Sequence, residues 1–382
     1  MNIRVNVLII IAVCISALLV GTYFFAFKND TKNATVDPEK SAETKRKEAA
    51  SFSDNVVSDA ISPVTDMPAY GGALIDDSHI AYFNERSLKR ASLGGGAEEV
   101  LIPSLPGKIL EAVWSPDRKQ VLTLLDSGTE RRWNLLDLST KTVTQLKSGI
   151  SSPRWSNLSE RIFYSYSDPT TQTSELDTAK PNGSEWETIA NTRMRGAFLS
   201  VVPQSALVSF WSAPSAFEET SLFTVPASGG EPRLIFSGKF GADYLWSPDG
   251  TKLLISNTLS KGGGDVRLGT ANQTGGEFRT LQVPTMISKA VWSKDGKTVY
   301  YALPLSLPEN AVLPNDYFSR PIHTHDSFWK IDVTTGKTQR VVDPEVVEGS
   351  YDSSGLFLGP DEEYLYFTDR ITEKIFRIRI EQ

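Results

Sequence analysis

The sequence predicts an all-β fold, a seven-bladed β-propeller, with six or eight blades as the alternatives. Three observations carry this. A tryptophan followed by all or part of a Ser-Pro-Asp-Gly turn recurs along the chain. Most of the recurrences are spaced by about 45 residues, the length of one four-stranded blade. Each repeat divides into short apolar runs separated by glycine, proline and aspartate turns, the pattern of strands.

The elements follow in chain order. Val5 to Phe27 is a run of 23 residues without a charge, with Asn6, Ser16 and Thr22 as its clearly polar members. About 20 apolar residues cross a bilayer as a helix, so residues 5–27 are expected to be a transmembrane anchor. A cleaved signal peptide is the competing reading. Its apolar core usually runs only about 7 to 15 residues and ends at small residues, whereas this run closes on Tyr23-Phe24-Phe25-Ala26-Phe27. Cys14, the chain's one cysteine, sits inside the run and loosely resembles a lipoprotein acceptor; Val13 before it is too large, so a packed thiol is expected. No disulfide framework or thiolate metal site can form in the rest of the chain. Arg4 precedes the run, and Lys28 and Lys32 follow it. A long folded domain is translocated largely regardless of nearby charge, which places the amino terminus in the cytoplasm and the large domain outside it, periplasmic or extracellular.

Residues 28–54 are rich in Lys, Glu, Asp, Ser and Ala and poor in aromatics, a composition that cannot bury enough surface to order itself. They read as a disordered linker, with Asp37-Pro38-Glu39 as a candidate start for a short helix. A tether of this kind would hold the domain on the order of 35 Å from the bilayer.

Residues 55–382 read as the propeller, with blades over 68–382. The marks are Trp114, Trp155, Val201, Trp246, Trp292 and Leu358, at intervals of 41, 46, 45, 46 and 66. Five near-constant repeats and one insertion of about 20 residues explain the series. Pro116-Asp117, Pro248-Asp249, Asp295 and Pro360-Asp361 supply the turns after their marks; proline presets φ at the second turn position and glycine fits the fourth. A degenerate first copy, with strands near Ala69–Ile75, His79–Phe83, Leu88–Leu93 and Glu99–Ile102, precedes the marked six and makes seven. The last copy stops after its third strand, at Ile375–Ile380. Residues 55–63 are expected to complete it, because an open edge strand is a liability.

The Trp-Ser-Pro-Asp-Gly blades resemble those of the TolB family of periplasmic propellers, and those of the propeller domains of prolyl oligopeptidase and dipeptidyl peptidase IV relatives. The likeness spans about residues 68–382 and concerns the blade type. TolB proteins carry a separate domain ahead of the propeller and a cleaved export signal. The peptidases follow theirs with a hydrolase domain, while this chain ends just after its last strand, so neither function is expected to transfer.

Chemistry is harder to find. The sequence holds no G-x-S-x-G, G-x-x-x-x-G-K-[ST], H-E-x-x-H or C-x-x-C motif. The glycine triplets at 94–96 and 262–264 fall between strands, where no helix follows to help bind a phosphate. A net charge of −7, from 39 basic and 46 acidic residues, with no basic block, argues against a nucleic-acid partner. The tryptophan marks and their aspartates read as packing and turn residues. No cofactor is expected.

Loop length is more informative. In blades 3 to 6 the connections between second and third strands are long, at Ser167–Ser174, Ala213–Thr220, Asn257–Asp265 and the insertion Pro304–Ser327. Consecutive blades place these on one face as an arc, and binding residues collect on loops held by a rigid scaffold. Asp168, Phe217 and Glu218 in the shorter loops, and Asp316, Tyr317, Phe318, Arg320, His323, His325 and Asp326 in the insertion, are the candidate binding residues. His323 and His325 are also weak metal candidates, since in an extended segment they share one side. The expected function is a membrane-tethered, non-enzymatic propeller that binds a protein, peptide or glycan outside the cytoplasm. The alternatives are an envelope scaffold or sensor subunit, and a hydrolase or lyase with a metal-assisted site in the channel.

Overall fold

Seven four-stranded antiparallel sheets follow one another along the chain, as the repeat spacing requires. The computed structural model describes residues 60–380 apart from 169, 172, 320, 321, 344, 346 and 348, so the expected anchor, the linker and residues 55–59 lie outside the described residues. No helix among the described residues is long and apolar enough to cross a membrane. The first blade comprises Tyr70–Leu74, His79–Asn84, Ser87–Ser92 and Glu98–Ile102. The marked repeats supply blades 2 to 7, each opened by the strand that ends at its mark.

Every blade is covered on both sides, which explains why its strands read as unbroken apolar runs. Side chains of successive strand residues point to opposite faces. Leu253 and Ile255 accordingly pack into the seam between blades 4 and 5, and Leu254 into the seam between blades 5 and 6. Seven buried clusters fill the seven seams. The mark tryptophans cross these seams: Trp114 Nε1 donates to Gly71 O at 2.7 Å, Trp155 Nε1 to Val113 O at 2.8 Å, Trp246 Nε1 to Ser209 Oγ at 2.9 Å and Trp292 Nε1 to Leu245 O at 3.3 Å, each in the preceding blade. The turn aspartates hold the hairpin that follows. Asp117 accepts from Ser115 Oγ and Lys119 N, Asp295 from Lys297 N and Thr298 N, and Asp361 from Glu363 N.

Ile61–Pro63 is the outermost strand of blade 7, antiparallel to Ile375–Arg379 with Ile61 opposite Ile378 and Pro63 opposite Phe376. Beyond it, Val64 N donates to Ile375 O at 2.8 Å, and the Val64 side chain, 3% exposed, joins the seam between blades 7 and 1. The strands alternate in direction. One face of the ring therefore carries the turns between first and second and between third and fourth strands, here the turn face. The other, the loop face, carries the connections between second and third strands and those between blades. The Ile61 end of the closing strand lies at the turn face.

One buried polar group stands outside this scheme. Asp177, on the third strand of blade 3, is fully buried; the Thr188 and Trp186 side chains face its carboxyl group, but among the described residues none lies at hydrogen-bonding distance and geometry. Burial pushes its pKa up to about 6. Between the unfolded pKa near 4 and that value the folded state binds the extra proton, so this group makes stability fall as pH rises through the window. Asp177→Asn is expected to gain about 2 kcal/mol relative to the wild-type protein between pH 4.5 and pH 7.5, measured by denaturant unfolding. A gap that does not change with pH would contradict this.

Candidate functional site

The insertion is shorter as a loop than the spacing implies, because both its ends join the sheet of blade 6. The second strand runs Thr298–Ser306 and the third His325–Asp332, with Pro304 opposite Asp326 and Ser306 opposite His325. A bulge between Pro304 and Ser306 accommodates the proline. The remaining segment, 307–324, contains a cis Leu313–Pro314 bond and one short helix, α1, over Asn315–Ser319.

Three contacts lay this segment over the neighbouring blades. Leu313 and Tyr317 bury themselves against Val266 of blade 5 and Met286, a small core of their own. Asn315 Oδ1 accepts from Ala216 N of the blade 4 loop at 2.8 Å. Val312 lies so close to Gly263 that a Cβ there would meet Val312 Cγ1 at 3.0 Å. The blade 4 and blade 5 loops also bond to each other, Gly262 N to Ala216 O at 2.8 Å. The long loops of blades 4, 5 and 6 are thus one packed surface on the loop face.

What fixes the insertion from below is a charged cluster on the loop face at blades 6 and 7. Lys289 stands at the end of a 3-10 turn, Ile287–Lys289, just before the first strand of blade 6, and its side chain is fully buried. Its ammonium reaches Asp326 Oδ2 at 2.7 Å, Asp352 Oδ1 at 2.9 Å, Thr324 Oγ1 at 2.9 Å and Ser353 O at 2.8 Å. Burial opposes its charge; Asp326, Tyr317 and Asp352 outweigh burial and raise Lys289 above the usual lysine range. Asp352 also accepts from Tyr317 Oη at 3.0 Å and Arg370 Nη1 at 3.2 Å, and His323 Nδ1 lies 3.3 Å from its other oxygen. Burial would push the Asp352 carboxyl up, yet Lys289, Thr324 and Arg370 hold it below the ordinary carboxylate range. Arg370 caps the cluster, its guanidinium 4.0 Å from the Tyr317 ring centroid.

The candidate residues separate into two groups. Tyr317 and Asp326 are buried in the cluster, and Asp316 is buried within the insertion, where it accepts from Val312 N at 2.9 Å. Phe217, Glu218, Phe318, His323 and His325 are exposed. Asp168 accepts from Thr170 N and Thr171 N within its own loop, which lowers its pKa, and Arg320 lies outside the described residues. His323 and His325 are both on the outer side of the extended segment, with Thr324 and Asp326 turned inward. Among the described residues no three His, Cys, Asp or Glu side chains are placed to hold a metal ion. Lys289, Thr324, Asp352 and Arg370 were not among the candidates. The available signal was Lys289 itself, a lysine in the apolar stretch leading to Trp292.

The exposed apolar residues complete the surface. Phe217, Leu259, Leu307 and Phe318 on the loops of blades 4, 5 and 6, and Leu305 at the end of the second strand of blade 6, are each at least 40% exposed.

No protein-family model matches the chain, and no curated protein matches it in sequence. Similar solved structures share the fold. An oligogalacturonate lyase in complex with manganese aligns over 84% of this chain and 93% of its own, at 14% identity and TM-score 0.58. The β-propeller domain of the Trilobed protease from Pyrococcus furiosus aligns over 81% and 95%, at 14% identity and TM-score 0.53. TolB from Acinetobacter baumannii aligns over 80% of this chain and 65% of its own, at 15% identity and TM-score 0.47. At such identities the likeness is one of fold.

Proposed function

We propose that this chain is a membrane-tethered, non-enzymatic propeller that binds a protein, peptide or glycan partner outside the cytoplasm, through the loop face of blades 4 to 6. The observation that carries the reading is the set of five exposed large apolar side chains on or beside loops that pack against one another. Exposed apolar side chains gathered on neighbouring blades are what an interaction site presents, and aromatic and aliphatic anchors on a rigid support are what a protein partner uses. Exposed leucines offer little to a glycan, so a protein or peptide is the preferred partner. The Ile61 end of the closing strand lies on the turn face, opposite the apolar loops.

Replacing residues 305–310 by glycine and serine leaves the Lys289 cluster intact and removes Leu305 and Leu307. Partner recovered by co-purification from native membranes is expected to fall at least tenfold, with the thermal midpoint within about 2 °C of wild type. Undiminished recovery would overturn the reading.

The similarity to a lyase motivates one further assay. Oligogalacturonate supplied to the purified protein with manganese is expected to yield no product above the buffer rate. Turnover that disappears in a His323→Ala, His325→Ala variant would replace the binding role with a catalytic one.

A further inference from the structure

We infer that the partner meets this surface with a cationic, apolar protein segment, an inference that rests on the binding role proposed above. The loop face from blade 4 to blade 7 includes the stretches 213–220, 257–265, 304–327 and 343–352. Among their described residues the exposed acids are Glu218, Glu219, Asp265, Glu309, Asp343 and Glu345. Lys261 is the one exposed lysine or arginine among their described residues. Lys289 is held inside the cluster, Arg370 lies against Asp352 and the Tyr317 ring, and Arg267 lies 3.6 Å from Asp265, while His323 and His325 are exposed.

Acids and apolar side chains alternate at short range. Phe217 precedes Glu218 and Glu219, and Leu307 stands two residues before Glu309. A partner that fills the apolar positions therefore brings its flanking residues against carboxylates. Complementary charge there steers encounter and fixes orientation, while like charge is rejected. The same rule disfavours an anionic polysaccharide, an anionic lipid surface and a second copy of this face. Residues 28–54 do not supply the occupant, since their bases are matched by acids and Phe52 is their one aromatic residue. On blades 2 and 3 the loop face instead exposes Lys108, Lys147, Arg193 and Arg195, so the face is polarised and a partner can dock in one orientation only.

A photoreactive phenylalanine analogue at position 318 of the full-length protein, irradiated in its native membrane, tests this. Adducts are expected on a segment of another protein in which Leu, Ile or Phe is flanked by Lys or Arg. Their yield is expected to fall at least threefold between 50 and 500 mM salt, as charge steering is screened, and by a similar factor in a Glu218→Lys, Glu309→Lys variant. Adducts on a neutral or acidic segment, on lipid or on a second copy, or a yield indifferent to salt and to the variant, would overturn the cationic assignment while leaving a binding surface. A yield no greater than that from the same analogue at position 158, on the turn face, would remove the binding role itself.

Discussion

Lys289→Met is expected to cost about 3–5 kcal/mol, the usual loss when one member of a buried ionic cluster is removed and its partners remain. Methionine fills the space of the lysine stem, so the loss is electrostatic. Asp326 and Asp352, both buried, would keep Thr324, Tyr317 and Arg370 as donors but lose the ammonium that bridges them. Ser353 O, another acceptor of that ammonium, would lose its bond to Lys289 as well. A fall of on the order of 10 °C in the thermal midpoint is expected, with faster amide exchange across 307–324 than in blades 1 to 3. The triple variant Lys289→Met, Asp326→Asn, Asp352→Asn removes the stranded charges and is expected to recover part of the loss. A triple variant less stable than the single one would show that the ammonium is not what the two carboxylates require.

Deleting residues 51–64 from the full chain is expected to be comparably severe. It removes the outermost strand of blade 7 and its pairing with Ile375–Arg379, and it takes Val64 out of the seam between blades 7 and 1. Ile61, half-buried against the core between blades 6 and 7, goes with it. Two apolar side chains at about 1.5–3 kcal/mol each, with the backbone bonds of a short strand, place the loss on the order of 5 kcal/mol. The ring would then close only through the seam contacts of blades 1 and 7. A thermal midpoint equal to that of the intact chain would mean that this strand does not close it.

Much of the fold was legible because each blade repeats one solution. Trp114, Trp155, Trp246 and Trp292 recur at the strand ends where an indole can reach the previous blade, and glycine and aspartate recur where the hairpin turns. Spacing therefore counted six of the repeats, apolar strands added the unmarked first one, and the irregular interval of 66 located the insertion. Its extent was less legible. Pro304-Leu-Ser-Leu-Pro308 reads as loop, yet its first three residues extend a strand by way of a bulge. The cluster beneath was hidden for a different reason. Lys289 meets Asp326 across 37 residues and Asp352 across 63, and no local pattern announces a pairing at that range. A lysine ahead of a strand reads as exposed until the ring brings both carboxylates over it. Asp316, Tyr317, Phe318, His323, His325 and Asp326 were found as a group because they share one inserted segment, but which of them face solvent depended on that clamp.

Whether the loop face of blades 4 to 6 is the working surface is decided by setting it against the opposite face. Phe217→Ser, Leu305→Ser and Phe318→Ser change three exposed side chains on the arc; Leu158→Ser and Leu207→Ser change two on the turn face. Partner recovered with the full-length protein from cells, quantified against wild type, is the measurement. The expected result is at least a tenfold loss in the first variant and no loss in the second, with both folded. Equal recovery in the two, or a loss confined to the turn-face variant, would contradict the account.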